Sequence, residues 1–163
     1  MGDAGPKGDP GIQGIQGEAG PAGPVGPAGP ITTSCAASLR WDLPACTPAT
    51  FTVGTSPQGV AFDGTNIWVA NFSSNSVSKI NPATNTVTNT VGVGTSPSGV
   101  AFDGTHIWVV NFNSNNVSKI NPATNTVTNT VGVGTSPSGV AFDGTNIWVT
   151  NLNSNNVSKI IPF

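Results

Sequence analysis

From Phe51 onward, short apolar runs alternate with polar punctuation, and the pattern returns every 40 residues. In the first unit Gly59-Val60-Ala61-Phe62 runs into Asp63-Gly64, a strong hairpin signal. Residues 67–72 form the second run, closed by a polar Ser73-Ser74-Asn75 turn. Val77-Ser78-Lys79-Ile80 is the third, ended by Asn81-Pro82-Ala83-Thr84-Asn85. The fourth, Thr86-Val87-Thr88-Asn89-Thr90-Val91, alternates polar and apolar positions as a half-exposed outer strand does. The second run is apolar on both faces, with Ile67 and Val69 on one and Trp68 and Phe72 on the other. That suits a strand sandwiched between neighbouring sheets. No run carries the period of an amphipathic helix, so the pattern predicts an all-β fold.

The units are almost copies. Residues 53–91 and 93–131 differ at five positions (Gln58/Ser98, Asn66/His106, Ala70/Val110, Ser73/Asn113, Ser76/Asn116). Residues 92–120 and 132–160 differ at three (His106/Asn146, Val110/Thr150, Phe112/Leu152). A period of this length built from short strands points to propeller blades. The phrasing Ser96-Pro97-Ser98-Gly99-Val100-Ala101-Phe102-Asp103-Gly104, then Ile107-Trp108-Val109-Val110-Asn111, resembles the YVTN-type β-propeller repeat. So do Asn116-Val117-Ser118-Lys119-Ile120-Asn121-Pro122-Ala123-Thr124-Asn125-Thr126-Val127 and the closing Val131-Gly132-Val133-Gly134. That repeat occurs in surface-layer proteins and in relatives of the streptogramin lyase and lactonase propellers. Trp68, Trp108 and Trp148 stand where it often has tyrosine. The resemblance covers residues 50–163 and implies the fold; such propellers host binding, structural and catalytic roles alike.

The units are 53–92, 93–132 and a truncated 133–163, in which Lys159-Ile160 runs into Ile161-Pro162-Phe163 without a fourth strand. A spare lies upstream: Thr50-Phe51-Thr52-Val53-Gly54-Thr55-Ser56-Pro57 aligns with Thr90-Val91-Gly92-Val93-Gly94-Thr95-Ser96-Pro97. Counting it, there are about three four-stranded blades, an incomplete propeller beside the usual four to eight. The expectation is a fragment of a longer repeat protein or an open arc, ahead of a ring shared between chains.

Ahead of the blades lies a different repeat. Glycine stands at every third place: Gly2, Gly5, Gly8, Gly11, Gly14, Gly17, Gly20, Gly23, Gly26 and Gly29. Thr32 breaks the series, and the triplets include Pro6, Pro10, Pro21, Pro24, Pro27 and Pro30. Only glycine fits the axis of three packed polyproline-II strands, so residues 1–31 resemble a collagen-like stalk of bacterial, phage and animal proteins. The stalk implies a homotrimer and an extension of about 90 Å. Residues 32–49 read as a linker holding Cys35 and Cys46, a candidate disulfide within or between chains, with two reduced thiols as the bland reading. Met1-Gly2-Asp3 enters the array with no signal-peptide pattern, although such stalks usually work outside the cytoplasm. Export without a cleaved signal, or a truncated N-terminus, reconciles the two.

Charged residues make up 7% of the chain and the net charge is −2, which argues against nucleic-acid binding. No stretch has the length and apolarity of a membrane-spanning helix. Each blade carries one acid and one base: Asp63 and Lys79, Asp103 and Lys119, Asp143 and Lys159. Near-identical blades provide near-identical environments, whereas acid–base catalysis wants two groups with pKa values pushed apart. The aspartates read as turn formers before glycine; one carboxylate per blade is thin for calcium. His106 is the only histidine and replaces Asn66 and Asn146. The resemblance implies histidine and acidic residues around a divalent metal in the lyases, and His106 without glutamates does not reproduce that. No catalytic residue, metal ligand or cofactor site is therefore assigned. The tryptophans read as core rather than a glycan-stacking surface. Asn71, Asn111 and Asn151 recur after the second strand, as a candidate polar binding rim or as structural hydrogen-bonding groups.

The expected function is that of a non-enzymatic extracellular or cell-surface structural or adhesion protein. Its trimeric stalk presents blades to a protein or glycan. A fragment of a lactonase- or lyase-type propeller enzyme, or a phage tail or fibre component, is the alternative.

Overall fold

The computed structural model describes residues 1–3, 5 and 50–162. Nearly all of the Gly-X-Y array, together with Cys35 and Cys46, lies outside the described residues. Contacts separate Pro48–Phe163 from Met1–Thr47, and the account below concerns the former.

Among the described residues, eleven strands form three antiparallel sheets. The first blade is β1 (Pro57–Phe62), β2 (Ile67–Asn71), β3 (Ser76–Asn81) and β4 (Thr86–Gly92), in that spatial order. The second is β5 (Pro97–Phe102), β6 (Ile107–Asn111), β7 (Asn116–Asn121) and β8 (Thr126–Gly132). The third has only β9 (Pro137–Phe142), β10 (Ile147–Asn151) and β11 (Asn156–Ile160). The all-β, incomplete propeller expected from the repeat is thus the observed architecture, and the described residues contain no helix.

Sequential strands pair because each connection is short. The Asp-Gly turn leaves Gly64, Gly104 and Gly144 at φ of 92°, 93° and 94°, a region that disfavours a Cβ. First strands begin two residues earlier than the apolar pattern suggests. Pro57 pairs with Asn71 across an irregularity before Val60 pairs with Val69, and blades two and three repeat this.

The core lies between blades. Trp68, Ala70, Val77 and Val91 of the first pack on Val100, Ile107, Val109 and Ile120 of the second. Trp108, Val110 and Val117 of the second pack in the same way on Ile147 and Val149 of the third. Phe72 and Phe112 extend the first seam, with ring centroids 6.3 Å apart. First strands approach so closely that a Cβ on Gly59 would come within 2.1 Å of the Ser98 carbonyl oxygen.

Candidate functional site

The chemistry-bearing residues of each blade form one repeated unit around the first hairpin. Asp63 follows β1, and its Oδ1 accepts from the backbone N–H of Thr65 (2.8 Å) and of Asn66 (2.6 Å). Its Oδ2 accepts from Trp68 Nε1 at 2.7 Å. Asp103 does the same with Thr105, His106 and, at 2.6 Å, Trp108. Asp143 does so with Thr145, Asn146 and, at 2.6 Å, Trp148. Burial raises the pKa of Asp63 and Asp103, but the indole and amide donors outweigh it and hold both below the usual carboxylate range. For Asp143 the Trp148 hydrogen bond leads, followed by the amides of Asn146 and Thr145, and the depression is larger. Donors to the ionised form stabilise it.

The lysine completes the unit from the next strand. Lys79 lies opposite Trp68 in the β2–β3 register, and its Nζ sits 5.1 Å from the ring centroid. Lys119 over Trp108 (5.3 Å) and Lys159 over Trp148 (5.5 Å) repeat the stack. These distances lie within cation–π range. Lys79 Nζ also crosses to the second blade, donating to Pro122 O (2.7 Å) and Asn125 Oδ1 (3.1 Å).

Asn71, Asn111 and Asn151 stand inside the blades, fully or almost fully buried. Asn71 Nδ2 donates to Ser78 Oγ at 2.9 Å and to Ser76 Oγ at 3.3 Å. Asn111 and Asn151 use Ser118 and Asn116, and Ser158 and Asn156. All three Oδ1 atoms are buried without a partner among the described residues. Gly54, Gly94 and Gly134 lie against these amides, where a Cβ would meet Cγ at 2.6 to 2.7 Å. His106 Nδ1 is 4.0 Å from Asp103 Oδ2, on the rim of a groove between β8 and β11. Among the described residues no three His, Cys, Asp or Glu side chains gather as a metal site would require.

Reading the chain alone finds the aspartate turns and the asparagine recurrence but misses the indole bond and the lysine stack. The signal was present: Asp and Trp recur five residues apart, and Trp and Lys eleven apart, in all three blades.

No protein-family model matches the chain, and no curated protein matches it. Solved structures do. Hydrazine synthase from Kuenenia stuttgartiensis is similar over 71% of this chain and 38% of its own, at 24% identity and a TM-score of 0.53. Virginiamycin B lyase from Staphylococcus aureus, a catalytically inactive H270A form with quinupristin, matches 67% of this chain and 38% of its own, at 18% identity and a TM-score of 0.57. A Bacteroides uniformis protein described provisionally as a 6-phosphogluconolactonase matches 66% and 37%, at 16% identity and a TM-score of 0.56. The likeness is one of fold, and the chain spans under two fifths of the length of each of these proteins.

Proposed function

We propose that the blades serve as a non-catalytic structural and binding module, carried at the cell surface on a trimeric collagen-like stalk. One observation supports the first half most: each blade spends its only carboxylate on two amides and an indole, identically three times. A carboxylate held ionised by three donors is a poor proton acceptor. The lysines lie on the same indoles, so each blade's acid and base maintain its packing. For the second half, the support is the ten-glycine array.

A second reading, part of a lyase- or lactonase-type propeller enzyme, is favoured by the fold shared with the Staphylococcus aureus lyase. Incubating the full chain with quinupristin and with simple lactones, with and without divalent cations, separates the two. Unchanged substrate by mass spectrometry is the expected result. Ring opening that His106→Ala abolishes would replace the first reading with the second. For the stalk, circular dichroism should show a cooperative triple-helix melt whose midpoint Gly14→Ala lowers; no such melt would remove the trimer.

A further inference from the structure

The outermost strand of each complete blade carries one residue more than the strand it pairs with. In the first blade Asn81, Ile80, Lys79, Ser78, Val77 and Ser76 of β3 face Thr86, Val87, Asn89, Thr90, Val91 and Gly92 of β4. Thr88 has no partner across that ladder. The second blade repeats this: Lys119 faces Asn129 and Ile120 faces Val127, with Thr128 left over between them. Such an extra residue is a β-bulge, which bends its strand and interrupts the ladder. A hydroxyl closes each one. Thr88 Oγ1 donates to Lys79 O and Thr128 Oγ1 to Lys119 O, both at 3.2 Å.

These strands are otherwise good templates for pairing. Both read Thr-Val-Thr-Asn-Thr-Val-Gly, with no charge and no proline, and the first five residues of each are exposed. Uncharged, β-branched stretches of this length add a further strand readily. Natural edges are blunted by lysine, proline, a bulge or a covering element. Of the devices that a strand's own residues supply, β4 and β8 show the bulge. Each of them completes a four-stranded blade and leads directly into the next, so the outward edge belongs to the plan of a full blade.

We propose that Thr88 and Thr128 guard the outer strands: the bulge each forms keeps β4 and β8 from pairing edge to edge with the same strand of a second copy. Without Thr88 the two strands would match residue for residue, and Val91 would still lie opposite Val77 in the core. Pairing inside the blade therefore has no need of the extra residue. What it changes is the outward edge, where the spacing of N–H and C=O groups is broken midway along the strand. Side chains alone would not prevent the contact. Two copies of Thr-Val-Thr-Asn-Thr-Val running antiparallel set no like charges opposite each other.

The threonine hydroxyl fixes the bulge in place. Lys79 O takes a side-chain bond where the ladder skips a residue, and Lys119 O does the same in the second blade. Sliding β4 by one residue would remove the irregularity only by turning buried Val91 out of the core. The device rests on pairing within each blade and holds under either reading of function.

The test compares full-length chains by sedimentation velocity over a range of concentrations. Deleting Thr88 and Thr128 together should leave the strand circular dichroism and the tryptophan emission as they are in the unaltered chain. Association beyond that of the unaltered chain should then set in at several-fold lower concentration. Adding Thr90→Lys and Thr130→Lys, which put a charge on each exposed outer strand, should reverse the gain. A folded deletion variant that sediments as the unaltered chain does overturns the proposal, and so does association that the lysines leave in place. Should the deletions prevent folding, Thr88→Val with Thr128→Val keeps the residue count and removes only the hydroxyl bond. Thr86→Val with Thr126→Val, on the same exposed strands, controls for the added apolar surface. The first pair should associate at lower concentration than the second, and equal behaviour overturns the proposal.

Discussion

Trp108 Nε1 donates to Asp103 Oδ2 at 2.6 Å, tying the residue that opens a hairpin turn to the indole buried between two blades. Turn geometry and inter-blade packing therefore depend on one carboxylate, whose side chain is 5% exposed. Asp103→Ala leaves the indole N–H and two amides without their acceptor. The expected loss is about 2–3 kcal/mol, and thermal unfolding should register it as a fall on the order of 10 °C. Asp143→Ala should cost less, because Trp148 is half open to solvent. Equal losses at both positions would disprove the burial argument.

The same carboxylates set an acid limit. Their folded pKa values lie below the unfolded value, which is about 3.9. Their contribution is therefore complete above that value and is lost as pH falls through the depressed folded ones. The melting temperature should stay level from about pH 8 to 5 and drop below about pH 4. Asp63, Asp103 and Asp143 are the only acidic side chains in residues 50–163. The triple Asp→Asn variant should start lower and lose most of the acid step; a step of unchanged size would assign it elsewhere.

Gly59 tests the close approach of first strands. Its added Cβ would lie 2.1 Å from Ser98 O, a backbone atom that moves only if the blades part. Gly59→Ala is expected to cost about 1–3 kcal/mol as overpacking. Urea denaturation measures it, and a neutral result would mean that the seam yields freely.

Val117 and Val157 occupy the same place in successive repeats, fully buried and largely exposed respectively. Val117→Ala should destabilise the chain by about 2–3 kcal/mol through lost burial and a cavity. Val157→Ala should stay within about 0.5 kcal/mol in a dilute, unassociated chain. Chemical denaturation at low protein concentration makes the comparison.

Much of this was legible along the chain. Alternating runs and Asp-Gly turns place the strands to within two residues, and the 40-residue period assigns them to blades. The early start at Pro57 was not legible, because it depends on an irregular pairing with Asn71. Nor was the burial of Asn71, Asn111 and Asn151: their recurrence favours a structural hydrogen-bonding role over a rim but names no partner. Ser78 and its equivalents become those partners only once β3 lies beside β2.

By itself, then, the sequence determined the local elements: strands, turns, four-strand units and the likeness between them, all governed by contacts within one hairpin or the next. Tertiary structure alone decided what each repeated residue experiences. Trp68, Trp108 and Trp148 share a sequence context and an aspartate partner, yet two are sealed and one is open. Burial is set by the neighbouring sheet, and no repeat carries in its own residues the blade that will cover it.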